Sequence, residues 1–236
     1  MVYSCTNNIL SLLCPPHCVI CNAPGFENLD LCRDCLDELP FNTHCCALCA
    51  LPMETESSSR VCGSCQTSPP AFDHCVSPLR FEHPVSQLVN GFKFHSKLAY
   101  GRLLAILLGN HLERHAVEPP ELIIPVPLHR RRLAERGYNQ ALELAKPLGR
   151  RFQTRVEAGL CQRTRPTPAQ SGLDRKHRRR NLRGAFELKR PVDAQHIALV
   201  DDVVTTGSTV SEIAGLLKKA GVARVDVWSL ARTAID

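Results

Sequence analysis

The apolar residues of the chain recur with two different spacings. Ile197 to Val200 form a short unbroken apolar run, the pattern of a strand covered on both faces of a parallel sheet. Leu122 to Val126 reads the same way. Ala223 to Ala231 supplies a final strand in which Val225 and Val227 alternate with Asp226 and Trp228 before an apolar end. Phe72 to Phe81 contains a short strand, Leu160 to Arg163 another, and Gly184 to Leu188 a short edge strand. Between these runs the spacing becomes helical. Val85, Leu88, Val89 and Phe92 mark one face, a second helix runs from Leu98 to about His111, and Ala141, Leu144, Ala145 and Leu148 mark a third, which Pro147 is expected to kink or end. Val210, Ile213, Ala214 and Leu217 then repeat at i, i+3, i+4 and i+7, with Glu212 in the first turn, Lys218 and Lys219 in the last, and Gly221 as the stop. Strands alternating with helices predict an α/β fold.

The first seventy residues carry few large apolar side chains and so cannot be stable on core burial alone. They hold four Cys-x-x-Cys pairs instead: Cys18 and Cys21, Cys32 and Cys35, Cys46 and Cys49, Cys62 and Cys65. That spacing suits tetrahedral zinc better than disulfides. Ten residues separate the inner cysteines of the first set and twelve those of the second, enough for a hairpin each. Two tandem zinc ribbons with sequential pairing are expected in preference to a cross-braced arrangement, each metal supplying on the order of 10–16 kcal/mol of folding free energy. Cys45 competes with Cys46, and His17 or His44 with the cysteines. Cys5, Cys14, Cys75 and Cys161 read as small buried apolar residues. A linker rich in Ser and Pro ends near Pro70, so residues 1–70 form a zinc-ribbon module and 71–236 a second domain.

Charge sharpens this division. Residues 1–70 hold two basic and seven acidic side chains, while 150–190 hold thirteen basic and three acidic, a local net of +10 in a chain whose formal total is +6. The start, MVYSCTNNILSLLC, has no basic n-region and reads as an amphipathic helix packed on the protein rather than a signal peptide. The longest apolar helix run, Leu103 to Leu108, falls far short of a membrane span, so no membrane insertion is expected and the reducing cytoplasm is the expected compartment.

The chemistry centres on His196 to Thr209, HIALVDDVVTTGST. Asp201 and Asp202 stand where the strand is expected to end, and can accept hydrogen bonds from a vicinal diol. Thr205, Thr206, Gly207, Ser208 and Thr209 offer hydroxyls and bare amides at a helix start, which favour a phosphate. Ribose 5-phosphate fits both halves. No Gly-Lys-Thr or Gly-Lys-Ser is present and no GxGxxG opens the helix, which excludes a Walker loop and a dinucleotide fingerprint. Lys93, His95 and Lys97 lie between two helices and read as solvated polar positions, although such a cluster also attracts polyphosphate.

VDDVVTTGST resembles the phosphoribosyl diphosphate (PRPP) motif of the type I phosphoribosyltransferases. The resemblance implies a mainly parallel central sheet flanked by helices, with ribose hydroxyls at the acid pair, the 5′-phosphate at the Thr-Thr-Gly-Ser-Thr loop, and Mg²⁺ entering with PRPP. It further implies that Leu128, His129 and Arg130, within PVPLHRRRLAERGYNQ, bind the diphosphate. The basic stretch RTRPTPAQSGLDRKHRRRNLRGAF takes the place of a mobile loop that closes over PRPP, with Arg163, Gln170 and Arg175 as catalytic candidates. Tandem ribbons, AFDHCVSPLRFEHPVSQLVNGFKFHSKLAYGRLL, the PVPLHRRR segment and the acidic motif, in that order, are similar to the ComF family of bacterial competence proteins, including the GntX type. That resemblance spans roughly Leu12 to Arg232 and implies a role in DNA uptake or the use of incoming DNA, with competence or DNA-processing proteins as partners.

Two functions of different class follow. One is a phosphoribosyltransferase whose acceptor the sequence does not specify. The other is a non-catalytic adaptor that grips single-stranded DNA through the basic segment 175–183, including Arg178, Arg179, Arg180 and Arg183, with PRPP or a nucleotide as regulatory ligand. Aromatic residues make up only 5% of the chain, so stacking platforms for DNA bases are few, and the acidic ribbons disfavour DNA contact.

Overall fold

The computed structural model describes residues 15–27, 29–54, 59–94, 97–165 and 182–234. Two single-turn helices, α1 (Arg33–Asp37) and α2 (Gly63–Thr67), belong to the ribbons. The body follows as β1 (His74–Val76), β2 (Leu79–Arg80), α3 (Val85–Phe94), α4 (Leu98–Arg114), β3 (Leu122–Pro125), α5 (Arg130–Arg136), α6 (Gln140–Arg151) and β4 (Arg155–Val156). It ends with β5 (Cys161–Arg163), β6 (Phe186–Leu188), β7 (His196–Val204), α7 (Ser208–Lys219) and β8 (Arg224–Arg232). A six-stranded sheet runs β1-β8-β7-β3-β4, with β2 also paired to β8, and all its pairs are parallel. The α/β architecture read from the two spacings is therefore the one found.

Alternation along β7 sends Ala198 and Val200 into one core cluster and Ile197 and Leu199 into the other, one on each face of the sheet. The first is roofed by α3, α4 and α6, the second by α7. Each ribbon joins a different cluster. Leu29, Leu31 and Leu39 extend the first, whereas Ala50 and the second cysteine set extend the second. The ribbons thus share their apolar packing with the two faces of the α/β body. Asp226 on β8 is 1% exposed. It is kept there by His196 Nε2 at 2.9 Å and by Arg224 at 2.9 and 3.2 Å, which compensates for burying a charge.

Several boundaries differ from the sequence expectations. Strand β7 continues through Asp201 and Asp202 to Val204, because Val203 and Val204 still pair with Ala231 and Arg232. Helix α7 starts two residues before Val210, so Glu212 lies beyond its first turn and accepts instead from the Gly184 amide at 2.8 Å. Helix α6 passes through Pro147 to Arg151; the face formed by Ala141, Leu144, Ala145 and Leu148 is buried, and that packing outweighs one missing amide. Phe186–Leu188 is not an edge of the main sheet. It pairs antiparallel with Cys161–Arg163 in a separate ribbon, since neither segment has the long apolar run that a central position needs. Cys75 and Cys161 are buried. The amphipathic start with Cys5 and Cys14, His95, and the basic stretch bearing Gln170, Arg175, Arg178, Arg179 and Arg180 lie outside the described residues. No helix among the described residues is long and apolar enough to cross a membrane.

The chain leaves β3 through α5 and α6 for β4 on one side, and leaves β7 through α7 for β8 on the other. The carboxyl ends of β3 and β7, adjacent in the sheet, therefore flank a topological switch point, the place where open parallel sheets take ligands.

Candidate functional site

The cysteines converge in two sets. Cys18, Cys21, Cys32 and Cys35 bring their sulfurs within 4.8 Å of one another, and so do Cys46, Cys49, Cys62 and Cys65. A tetrahedron with metal–sulfur bonds of about 2.3 Å has edges of about 3.8 Å. Cys21 and Cys32 are 3.6 Å apart at sulfur, and Cys49 and Cys62 are 3.8 Å apart. The donor set fits zinc.

Local geometry repeats between the ribbons. The amides of Cys18 and Cys46 donate to Ala23 and Leu51, the amides of Asn22 and Ala50 return to Cys18 and Cys46, and both Asn22 and Ala50 have positive φ, 64° and 53°. Cys32 and Cys62 then cap α1 and α2. In this repeat Cys45 occupies the position of His17, each in an isolated bridge with a proline, and Cys46 occupies that of Cys18. Cys45 stands outside the second set for that reason. Burial opposes ionisation of Cys18, yet the amides of Cys32, Cys21 and Ile20 hold its thiol down at about 6. Cys46 is held at about 7 in the same way, burial being outweighed by the amides of Cys62, Cys49 and Leu48. Burial and neighbouring thiols push Cys35 and Cys65 far up. Thiols must give up their protons to bind zinc, so metal binding at either set releases protons.

At the switch point, Asp202 is 3% exposed and its Oδ2 lies 2.8 Å from Lys93 Nζ at the end of α3. Burial and the adjacent Asp202 push the Asp201 carboxyl up to about 8, with Lys93 and the Asp202 amide acting against them. Arg163 is half-buried. Burial and Arg132 depress its ionisation while Asp201 favours it, which places those two side chains on either side of its charge balance. The pair is braced from outside by Tyr138, whose hydroxyl donates to the Phe92 carbonyl and whose ring lies 5.6 Å from that of Phe92.

Past Val204 the chain turns through exposed Thr205 and half-buried Thr206 into Gly207, with φ 73°. Gly207 is the N-cap of α7 and supplies no side-chain cap. The hydroxyls of Thr206 and Ser208 are 2.9 Å apart, and Thr209 is half-buried. A twelve-residue helix with no side-chain cap leaves positive first-turn amides beside three hydroxyl groups.

Leu128 and His129 follow β3 directly and are half-buried, while Arg130 is exposed. His129 is the N-cap of α5, its Nδ1 accepting from the Arg131 amide at 3.2 Å. Arg131 pairs with Glu135 at 2.9 Å. Arg130, Arg131 and Arg132 open this helix, with Arg132 half-buried and its two neighbours exposed, and the charge of Arg132 is felt by Arg163. Lys93, read as a solvated position, is the residue that sequence reasoning misplaced. It continues the Val85, Val89 stripe at i+4 and i+8, so a cation on the core face was the available signal.

Residues 9–66 match the model of the double zinc ribbon domain. The chain is 36% identical over 227 residues to the DNA utilization protein YhgH of Escherichia coli strain K12, covering 94% of this chain and 99% of that protein. It is 38% identical over 212 residues to competence protein F of Haemophilus influenzae, covering 86% and 90%, and 25% identical over 152 residues to competence protein ComFC of Streptococcus pneumoniae, covering 64% and 65%.

Proposed function

This chain belongs to the ComF family of competence proteins, and from that premise we propose that it binds Mg²⁺·PRPP at the β3/β7 switch point and transfers or recognises ribose 5-phosphate in connection with DNA uptake or the use of incoming DNA. The observation that carries this reading is the juxtaposition, on one strand end, of an acid pair, Asp201 half-buried and Asp202 buried against Lys93, and a helix start with no side-chain cap. In this reading Asp201 and Asp202 accept the ribose hydroxyls. The amides of the α7 first turn and the hydroxyls of Thr205, Thr206, Ser208 and Thr209 take the 5′-phosphate. Leu128, His129 and Arg130 face the diphosphate with their backbone and side chains. Mg²⁺ neutralises part of the diphosphate charge when bound.

Transfer needs no protein nucleophile. The acceptor attacks C1 of the ribose, the C1–oxygen bond to pyrophosphate breaks, and the acceptor gives up its proton. Arg163, with Gln170 and Arg175 on the basic stretch, stabilises the departing anion. Calorimetry of zinc-loaded protein with Mg²⁺·PRPP tests binding: Asp202→Asn weakens it at least tenfold, and a wild type that binds no PRPP ends the reading. Pyrophosphate release with free bases, nucleotides and single-stranded DNA as acceptors tests catalysis.

The adaptor reading is supported by the names of the relatives, which refer to DNA utilization and competence. It requires DNA affinity that falls steeply with salt. Replacing Arg178, Arg179 and Arg180 by alanine flattens that slope, and an unchanged slope counts against it.

A further inference from the structure

Arg232, the last residue of β8, is 2% exposed. Its guanidinium donates only to carbonyls among the described residues: from Nε to Cys49 at 3.0 Å, and from Nη1 to Val204 and Thr233 at 3.0 Å and to Thr205. No carboxylate among the described residues pairs with it. A buried cation without a carboxylate is costly unless another negative charge faces it. Two features point to that charge. Cys49 is a member of the second cysteine set, and four thiolates around one Zn²⁺ carry a formal net of about −2. In addition, a single cavity of about 270 Å³ is lined by Cys62 and Cys65 from that set, by Thr206, Gly207 and Ser208 from the phosphate loop, and by Arg232. The metal centre and the loop share a wall.

We propose that Arg232 is a positioning residue that couples the second metal centre to the phosphate loop. Its fork ties the Cys49 carbonyl to those of Val204 and Thr205, so the metal-loaded ribbon fixes the path by which β7 enters the Thr-Thr-Gly turn. Metal at Cys46, Cys49, Cys62 and Cys65 thereby raises the loop's affinity for a phosphate monoester. By linkage, an occupied phosphate loop raises the retention of that metal to the same extent. The inference rests on the phosphate-loop reading above, but one of its two readouts needs no sugar phosphate. The second ribbon is then part of the binding machinery for the ligand as well as a folding module.

The test uses full-length, zinc-loaded protein and ribose 5-phosphate, with calorimetry for affinity and a chelating dye for zinc release. In the wild type, saturating ribose 5-phosphate slows release of one of the two zinc ions. In Arg232→Met the affinity falls at least fivefold, the same ion leaves faster without ligand, and the ligand no longer protects it. Arg232→Lys keeps the charge but one ammonium cannot hold carbonyls on both sides, so protection is reduced there too; this variant carries the test if the methionine variant does not fold. Cys65→Ser, which removes the second centre, weakens ribose 5-phosphate binding likewise. Affinity within twofold of wild type in the Arg232 variants, or ligand protection of zinc as strong in them as in the wild type, overturns the proposal. If the wild type binds neither ribose 5-phosphate nor PRPP, the phosphate-loop reading has failed. The coupling is then judged on ligand-free release, and an Arg232→Met protein that holds its second zinc as tightly as the wild type overturns that as well.

Discussion

Replacing Lys93 by methionine keeps most of the side chain's volume and deletes the charge that faces Asp202. At 2.8 Å and an effective dielectric of about 20, the attraction between the two is about 6 kcal/mol before desolvation is counted. Both groups are largely withdrawn from water, with side chains 19% and 4% exposed, and dehydration offsets most of that attraction. The single substitution does not recover the desolvation of its partner. Oδ1 of Asp202 keeps the Val203 amide at 2.8 Å, but Oδ2 loses the ammonium that faces it. Removing one member of a buried pair costs about 3–5 kcal/mol, and the solvent access left to Lys93 places Lys93→Met near the lower figure. In the double variant Lys93→Met, Asp202→Asn no charge is left stranded. Chemical denaturation of zinc-loaded protein at pH 7, followed by circular dichroism, should find the double variant more stable than Lys93→Met by about 2 kcal/mol, a non-additive result expected for groups in contact. A Lys93→Met protein within about 0.5 kcal/mol of wild type, or a double variant destabilised by the sum of the two single effects, would refute the claim that this pair is a buried, mutually dependent unit.

The Asp201 carboxyl, pushed up to about 8 from an ordinary 3.8, binds more protons in the folded than in the unfolded chain between those values, so its contribution to stability falls as pH rises across that window. Asp201→Asn flattens this slope in denaturation measured from pH 4 to 8.5, and an unchanged slope argues against the raised carboxyl. A diol donating to Asp201 favours the carboxylate, so ribose 5-phosphate affinity should also rise through about pH 8 in the wild type and stay level in that variant. Gly207→Val forces a β-branched residue to φ 73°, a strain of about 1–2 kcal/mol, and should lower PRPP affinity at least tenfold in calorimetry while leaving the far-ultraviolet spectrum intact. Cys45→Ser should retain two zinc ions per chain by elemental analysis and Cys46→Ser one; the reverse result would reassign the ligand.

Much of the molecule is legible in one dimension because its signals are local. Four Cys-x-x-Cys pairs specify four half-sites, enough for two four-sulfur sets, since a two-residue spacing lets both sulfurs of a pair face one metal whatever surrounds it. Unbroken apolar runs mark β3 and β7, because a strand with both faces covered has no polar side to display. The Asp-Asp and Thr-Thr-Gly-Ser-Thr residues are likewise consecutive, so one strand and one turn carry them together.

Only tertiary structure decided the rest, because those properties belong to pairs distant in the chain. Lys93 became a partner of Asp202 when α3 packed over the carboxyl end of β7, 109 positions away in sequence. Arg232 acquired its partners from a ribbon carbonyl and from a neighbouring strand, neither of which its own polar-looking terminal position announces. Length of pairing followed the same logic: β7 outlasts its apolar run because β8 still offers partners to Val203 and Val204, and Phe186–Leu188 stands outside the main sheet, paired with Cys161–Arg163. Local chemistry chose the elements. Long-range packing chose which charges were buried, against what, and therefore what the strand end can hold.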